Sequence, residues 1–175
     1  MRPGDRAKAV AGNCSRALAA VAVLLCLASA SGVAAGQRAD GVVLTIDGKI
    51  AGEDPRQLTL DDLEAMERES FTTWTPWHDA PVTFEGVPLA VLMEHVGARG
   101  HLVSAKALNN YYVEYRDFDF ARYKPIVAYK ADGAYMEISD KGPLFVIFPF
   151  DSDPELRSAT YFALSIWQLR WMTVQ

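Results

Sequence analysis

Apolar and polar residues alternate through "VVLTIDG" (42–48), and the run closes on an Asp-Gly turn signal, so the spacing predicts a strand. The period then changes. In "TLDDLEAM" (59–66) Leu60, Leu63 and Met66 recur at helical spacing behind Thr59, and Asp62 stands three residues after that threonine, as in a capped short helix. "GVPLAVLMEHVG" (86–97) carries the helical period further: Leu89, Leu92, Met93 and Val96 share one stripe, Pro88 falls in the first turn and Gly97 supplies the stop. "FTTW" (71–74) and "VTF" (82–84) are short and β-rich. Two hairpins follow, one around Asn109-Asn110 and one around Asp132-Gly133. "LFVIFPF" (144–150) reads as a buried strand, and "SIWQLRWMTV" (165–174) as an alternating strand that closes the fold. The expected class is a mixed, β-dominated α+β domain covering residues 42–174, with no internal repeat or long polar linker to divide it.

The first 35 residues do not share this patterning. Arg2, Arg6, Lys8 and Arg16 make a basic start, an apolar run fills 17–30, and small residues follow. That order predicts a signal peptide of the Sec type, cleaved after Ala35, and an exported chain that is periplasmic or secreted. The run is short for a membrane span, so no stable membrane insertion is expected after cleavage. No two arginines adjoin, so the twin-arginine route for folded, cofactor-loaded proteins is not indicated. Both cysteines, Cys14 and Cys26, lie in this leader, which leaves the exported part without a disulfide, thiolate ligand or cysteine nucleophile. The leader holds four basic residues and one acid, so its removal takes the formal charge from −5 to −8. Nucleic acid is a poor partner for such a chain; a small ligand or an exported partner protein is expected instead.

Candidate chemistry concentrates in "FTTWTPWHDAP" (71–81). Trp74 and Trp77 suit either an aromatic wall of a cleft or the rim of a core. His78-Asp79 has the residue types of a base and its orienting acid, but adjacent residues seldom face each other, and a turn-capping pair is the simpler reading. His78, His95 and His101 lack ligand spacing, so no metal site is expected; His95 near a helix end suits the helix dipole. "DSDPELR" (151–157) is acidic enough to suggest calcium, yet Asp153 as N-cap, Pro154 at the first position and Glu155 in the first turn describe a helix start better.

Taken in order, "LTLDDLEAM", the Thr/Trp-rich strand end, "FEGVPLAVLMEHVG", the β-rich middle, "DKGPLFVIFP" and "WQLRWMTV" resemble the oxidoreductase molybdopterin-binding domain family, the sulfite-oxidase fold. The resemblance implies molybdenum held by a pterin dithiolene and one protein cysteine, with chemistry on a sulfite- or sulfoxide-like oxyanion. The cysteine is implied just ahead of the G-V-P-L segment, where this chain has Thr72, Thr73 and Trp74. A threonine hydroxyl is a hard donor and does not replace the thiolate. The resemblance also implies an arginine where Phe145 stands and a lysine where Trp167 stands, both serving the cofactor phosphate; Lys141, Arg157 and Arg170 are nearby cations. Molybdopterin binding, which the resemblance allows, is therefore disfavoured and no catalytic residue is assigned; the alternative is an active molybdopterin-dependent oxidoreductase working on such an oxyanion through a non-cysteine site. The expected role is a ligand- or partner-binding module, with Thr72, Thr73, Trp74, Trp77, His78, Asn109, Tyr111 and Lys141 as pocket candidates.

Overall fold

The computed structural model describes residues 37–175 apart from residue 54, so the leader and its cleavage point lie outside the described residues. Eleven strands and four short helices are present among them. The first sheet runs in the order β2 (Arg56–Thr59), β1 (Val42–Gly48), β11 (Leu169–Val174), β5 (Leu102–Ala107), β6 (Tyr112–Arg116). β1 and β11 are parallel, with Thr45 opposite Trp171, and the other pairs are antiparallel. Strand alternation turns Leu44, Ile46, Met172 and Val174 inward, while Thr45 and Trp171 face out. The second sheet runs β10 (Ile166–Trp167), β9 (Phe145–Ile147), β7 (Ile126–Ala131), β4 (Val82–Pro88), β3 (Glu69–Thr73), and β8 (Ala134–Tyr135) also pairs with β7. One hydrophobic cluster joins both sheets; Phe84, Tyr115, Phe145 and Phe148 are among its largest fully buried members.

Local chemistry explains most of these elements. Thr59 caps α1 (Leu60–Glu64): its hydroxyl accepts from the Asp62 N–H, and the Asp62 carboxylate accepts from the Thr59 N–H in return. Leu60 and Leu63 of that helix are buried, as their spacing predicts. Asp132 and Gly133 both take left-handed backbone angles (φ 49° and 81°), the conformation that a tight two-residue hairpin needs. Asn110 (φ 67°) serves the turn between β5 and β6. α3 (Phe120–Tyr123) and α4 (Ala159–Leu164) are short helices of four and six residues that the apolar period does not announce.

Three expectations need correction. The helix expected over 86–97 begins later, as α2 (Leu89–His95): Gly86, Val87 and Pro88 complete β4, and Pro88 precedes the helix with ψ 132°. Gly86 lies opposite Ala128 of β7, and the Leu89 N–H donates to the Pro125 carbonyl, so pairing across the sheet holds these residues extended. The expected closing strand is two strands. Gln168 adopts φ 54°, and the left-handed step moves the chain from the second sheet to the first. The acidic segment at Asp153 forms a 3-10 turn over Pro154–Leu156, with Asp153 accepting from the Glu155 N–H as an N-cap should.

Candidate functional site

The loop after β3 is fixed by hydrogen bonds that run inward. Thr73 is fully buried; its hydroxyl accepts from the Asp151 N–H (3.1 Å) and donates to the Trp74 carbonyl (3.3 Å). The Asp151 carboxylate accepts from the Trp74 N–H (2.8 Å) and pairs with Arg157 (2.6 Å). Thr75, also fully buried, accepts from the Trp77 N–H (3.3 Å) and lies 2.6 Å from His78 Nδ1. The Thr75 hydroxyl has two lone pairs and one hydrogen, so while accepting the Trp77 N–H it either accepts from or donates to Nδ1 according to the ring tautomer. Burial and then the charge of Lys141 hold the His78 pKa below its ordinary value, so the ring is neutral near pH 7.

Above these bonds lies a layer of aromatic rings. Trp77 meets Phe145, Phe150, Phe162 and Trp167 at centroid distances of 5.7, 6.2, 6.2 and 5.6 Å. Tyr111 lies parallel to Trp167 (6.4 Å, 8°) and donates its hydroxyl to the Ala163 carbonyl. Trp74 touches Phe162 edge-on and is 42% exposed, as is Tyr111, so these two rings flank the half-buried Trp77 and Trp167 at the surface.

Thr73, Trp74, Trp77 and His78 are thus one unit, joined to Tyr111 through Trp167 and to Lys141 through its charge beside His78. Thr72 and Asn109 stand apart from it. The Thr72 hydroxyl bonds Thr83 across an exposed part of the sheet, and Asn109 accepts from the Tyr111 N–H in its own turn. A cavity of about 340 Å³ lies elsewhere, between Gln37–Ala39 and Met136–Ser139. Sequence reasoning missed Trp167, Phe162 and Asp151 as parts of this unit. The only available signal was the placement of Trp167 at a position where the resemblance implies a lysine.

The Thr73 position, where the resemblance implies a thiolate, offers no soft donor. Thr73 offers a hard oxygen already committed to two backbone groups, and Phe145 is fully buried among rings. Of the nearby cations, Lys141 pairs with Asp140 (3.1 Å), Arg157 pairs with Asp151, and Arg170 leans on Trp171 in the other sheet. Among the described residues no three His, Cys, Asp or Glu side chains group as metal ligands, and no helix is long and apolar enough to cross a membrane.

The Asp151 clamp makes a pH prediction. Accepting from the Trp74 N–H, and then pairing with Arg157, holds the Asp151 pKa below the usual carboxylate range. A depressed folded pKa contributes stability that is complete above the unfolded value, near 3.9, and is lost as pH falls through the folded value. Acid titration below about pH 4 should therefore loosen the Trp74 loop, seen as a change in tryptophan emission before global unfolding. Asp151→Asn should remove that early step; its persistence would separate the loop from this carboxylate.

No protein-family profile matches the chain, and no curated protein matches it in sequence. Among solved structures it is similar to the sulfane dehydrogenase SoxCD from Paracoccus pantotrophus, at 17% identity and a TM-score of 0.56. The likeness covers 75% of this chain and 37% of that one, so the chain spans well under half the length of its neighbour. At this identity the likeness is one of fold alone: a mixed, strand-dominated α+β domain consistent with a sulfite-oxidase-type fold.

Proposed function

We propose that this chain is an exported binding module on a sulfite-oxidase-type fold, working without molybdenum and meeting a small ligand or partner protein through the aromatic face of Trp74, Tyr111, Trp77 and Trp167. The observation that carries this reading is Thr73. At the position where the resemblance implies a thiolate, its side chain is fully buried and spends its hydrogen bonds on Asp151 and Trp74, so it presents no donor to a metal. The face beside it supports recognition: exposed Trp and Tyr rings backed by rigid neighbours supply large contact area at low entropic cost. The basic start and apolar run of the leader support export.

The test is elemental. Protein purified from the exported fraction of cofactor-replete cells should contain far less than one molybdenum and one pterin per chain. Thr73→Cys should not raise either, because the phosphate-side positions remain Phe145 and Trp167. Stoichiometric molybdenum in the unaltered protein would overturn the reading, and uptake restored by the single cysteine would show that only sulfur was missing.

A further inference from the structure

The outer face of the first sheet carries a second arrangement, separate from the Trp74 loop. Strand register aligns Tyr112, Lys106, Trp171, Thr45 and Gln57 in one row across all five strands. Trp171, at the centre of the row, is 40% exposed. Two cations lean on its ring: the Lys106 ammonium at 5.8 Å from the centroid and the Arg170 guanidinium carbon at 5.7 Å. Arg170 is placed there by a bulge. Against β5 the register passes from Leu169 to Trp171 and leaves Arg170 unpaired.

Neither cation has a carboxylate partner among the described residues. Glu114, the acid nearest along β6, is engaged by Arg116 and the Tyr112 hydroxyl. Asp47, two residues beyond Thr45 on β1, forms no ion pair with either one. Attraction to the ring accounts for one cation at Trp171. It does not satisfy Arg170 Nη1. That nitrogen is shut off from solvent and has no acceptor. A buried guanidinium N–H without an acceptor is unfavourable, and the partner that suits its planar fork is a group presenting two or more anionic oxygens.

We propose that Arg170 and Lys106 form an oxyanion site on the outer face of the first sheet, with the Trp171 ring as its apolar wall. The ligand class is a sulfate, phosphate or carboxylate group. Arg170 contributes the fork, Lys106 a mobile point charge, and Trp171 a surface for whatever carbon skeleton bears the anion. Arg170 as a residue is only partly buried although Nη1 itself is covered, so the guanidinium turns outward about its own side-chain torsions, without displacing a strand, to present the fork to an anion from solvent. The site shares no residue with the Trp74 loop and stands or falls independently of the metal-free reading.

An NMR titration of the full-length chain tests it, with sodium sulfate, sodium phosphate or sodium acetate replacing sodium chloride at constant ionic strength. Trp171→Phe identifies the Trp171 indole N–H among the four tryptophan signals. At least one oxyanion should shift that signal saturably while the Trp74 and Trp77 signals stay in place, and the one that saturates at lowest concentration ranks the class. Arg170→Gln should raise the half-saturation concentration about tenfold or more, the loss expected for one charge-assisted hydrogen bond. Lys106→Gln, at an exposed position, should raise it about threefold. A shift that never saturates with any of the three anions, or one that survives Arg170→Gln unchanged, overturns the proposal.

Discussion

Trp77→Ala will lower the unfolding free energy by about 3–5 kcal/mol, the range for deleting a large packed aromatic side chain. Four rings lean on Trp77, three edge-on and one tilted, and they come from β9, β10, α4 and the turn after β9. Alanine leaves a void in which Phe145, Phe150, Phe162 and Trp167 each lose a neighbour. Collapse is hindered because Phe145 and Phe150 are themselves fully buried and held by other packing partners. Urea denaturation should show a lower midpoint at unchanged slope, which marks lost stability rather than a changed unfolded state. Trp77→Phe should recover part of the loss. A drop below about 1 kcal/mol for the alanine variant would mean that the ring serves the surface and not the packing.

Gly86→Ala is expected to be comparably severe for a different reason. A methyl group there would sit 2.5 Å from the Ala128 Cα and press on the Val127 carbonyl, both of them backbone of the neighbouring strand. Backbone in the middle of a sheet cannot swing aside as a flexible side chain does, so β4 and β7 must part or shift. The cost is about 3 kcal/mol, at the upper end for overpacking, and the expected fall in Tm is about 10 °C for a domain of this size. Gly133→Ala is the matched control. Its added carbon meets open space, and only the left-handed backbone angle (φ 81°) resists it, at about 1 kcal/mol. Equal melting temperatures for the two variants would refute the close approach at Gly86.

The sequence was legible where structure is decided locally. Alternation placed β1 to the residue, Thr59 and Asp62 announced their own reciprocal cap, and Asp132-Gly133 named its hairpin. It misled where a distant partner decides. Gly86 and Pro88 satisfy the rules for a helix entrance equally well, and only pairing with β7 keeps them extended. Glutamine is an uncommon residue for a left-handed angle, so nothing within "WQLRW" signals the break at Gln168. The candidate site divides the same way. Its aromatic content is plain in "FTTWTPWHDAP", whereas the clamp from Thr73 and Trp74 to Asp151 spans most of the domain and leaves no local pattern.

The position of β11 has a consequence in time. Thr45, near the start of the domain, pairs with Trp171, near its far end, and β11 separates β1 from β5. The β1–β2 ribbon and the β5–β6 hairpin can each form early, being local. Neither reaches the other until the segment after Gln168 is threaded between them, and that closure fixes a loop almost as long as the domain itself. Such long-range parallel pairing is slow because the entropy of loop closure is spent before its contacts are gained. Seating β11 is accordingly expected to be a slow step, and until it happens the facing edges of β1 and β5 have no strand between them.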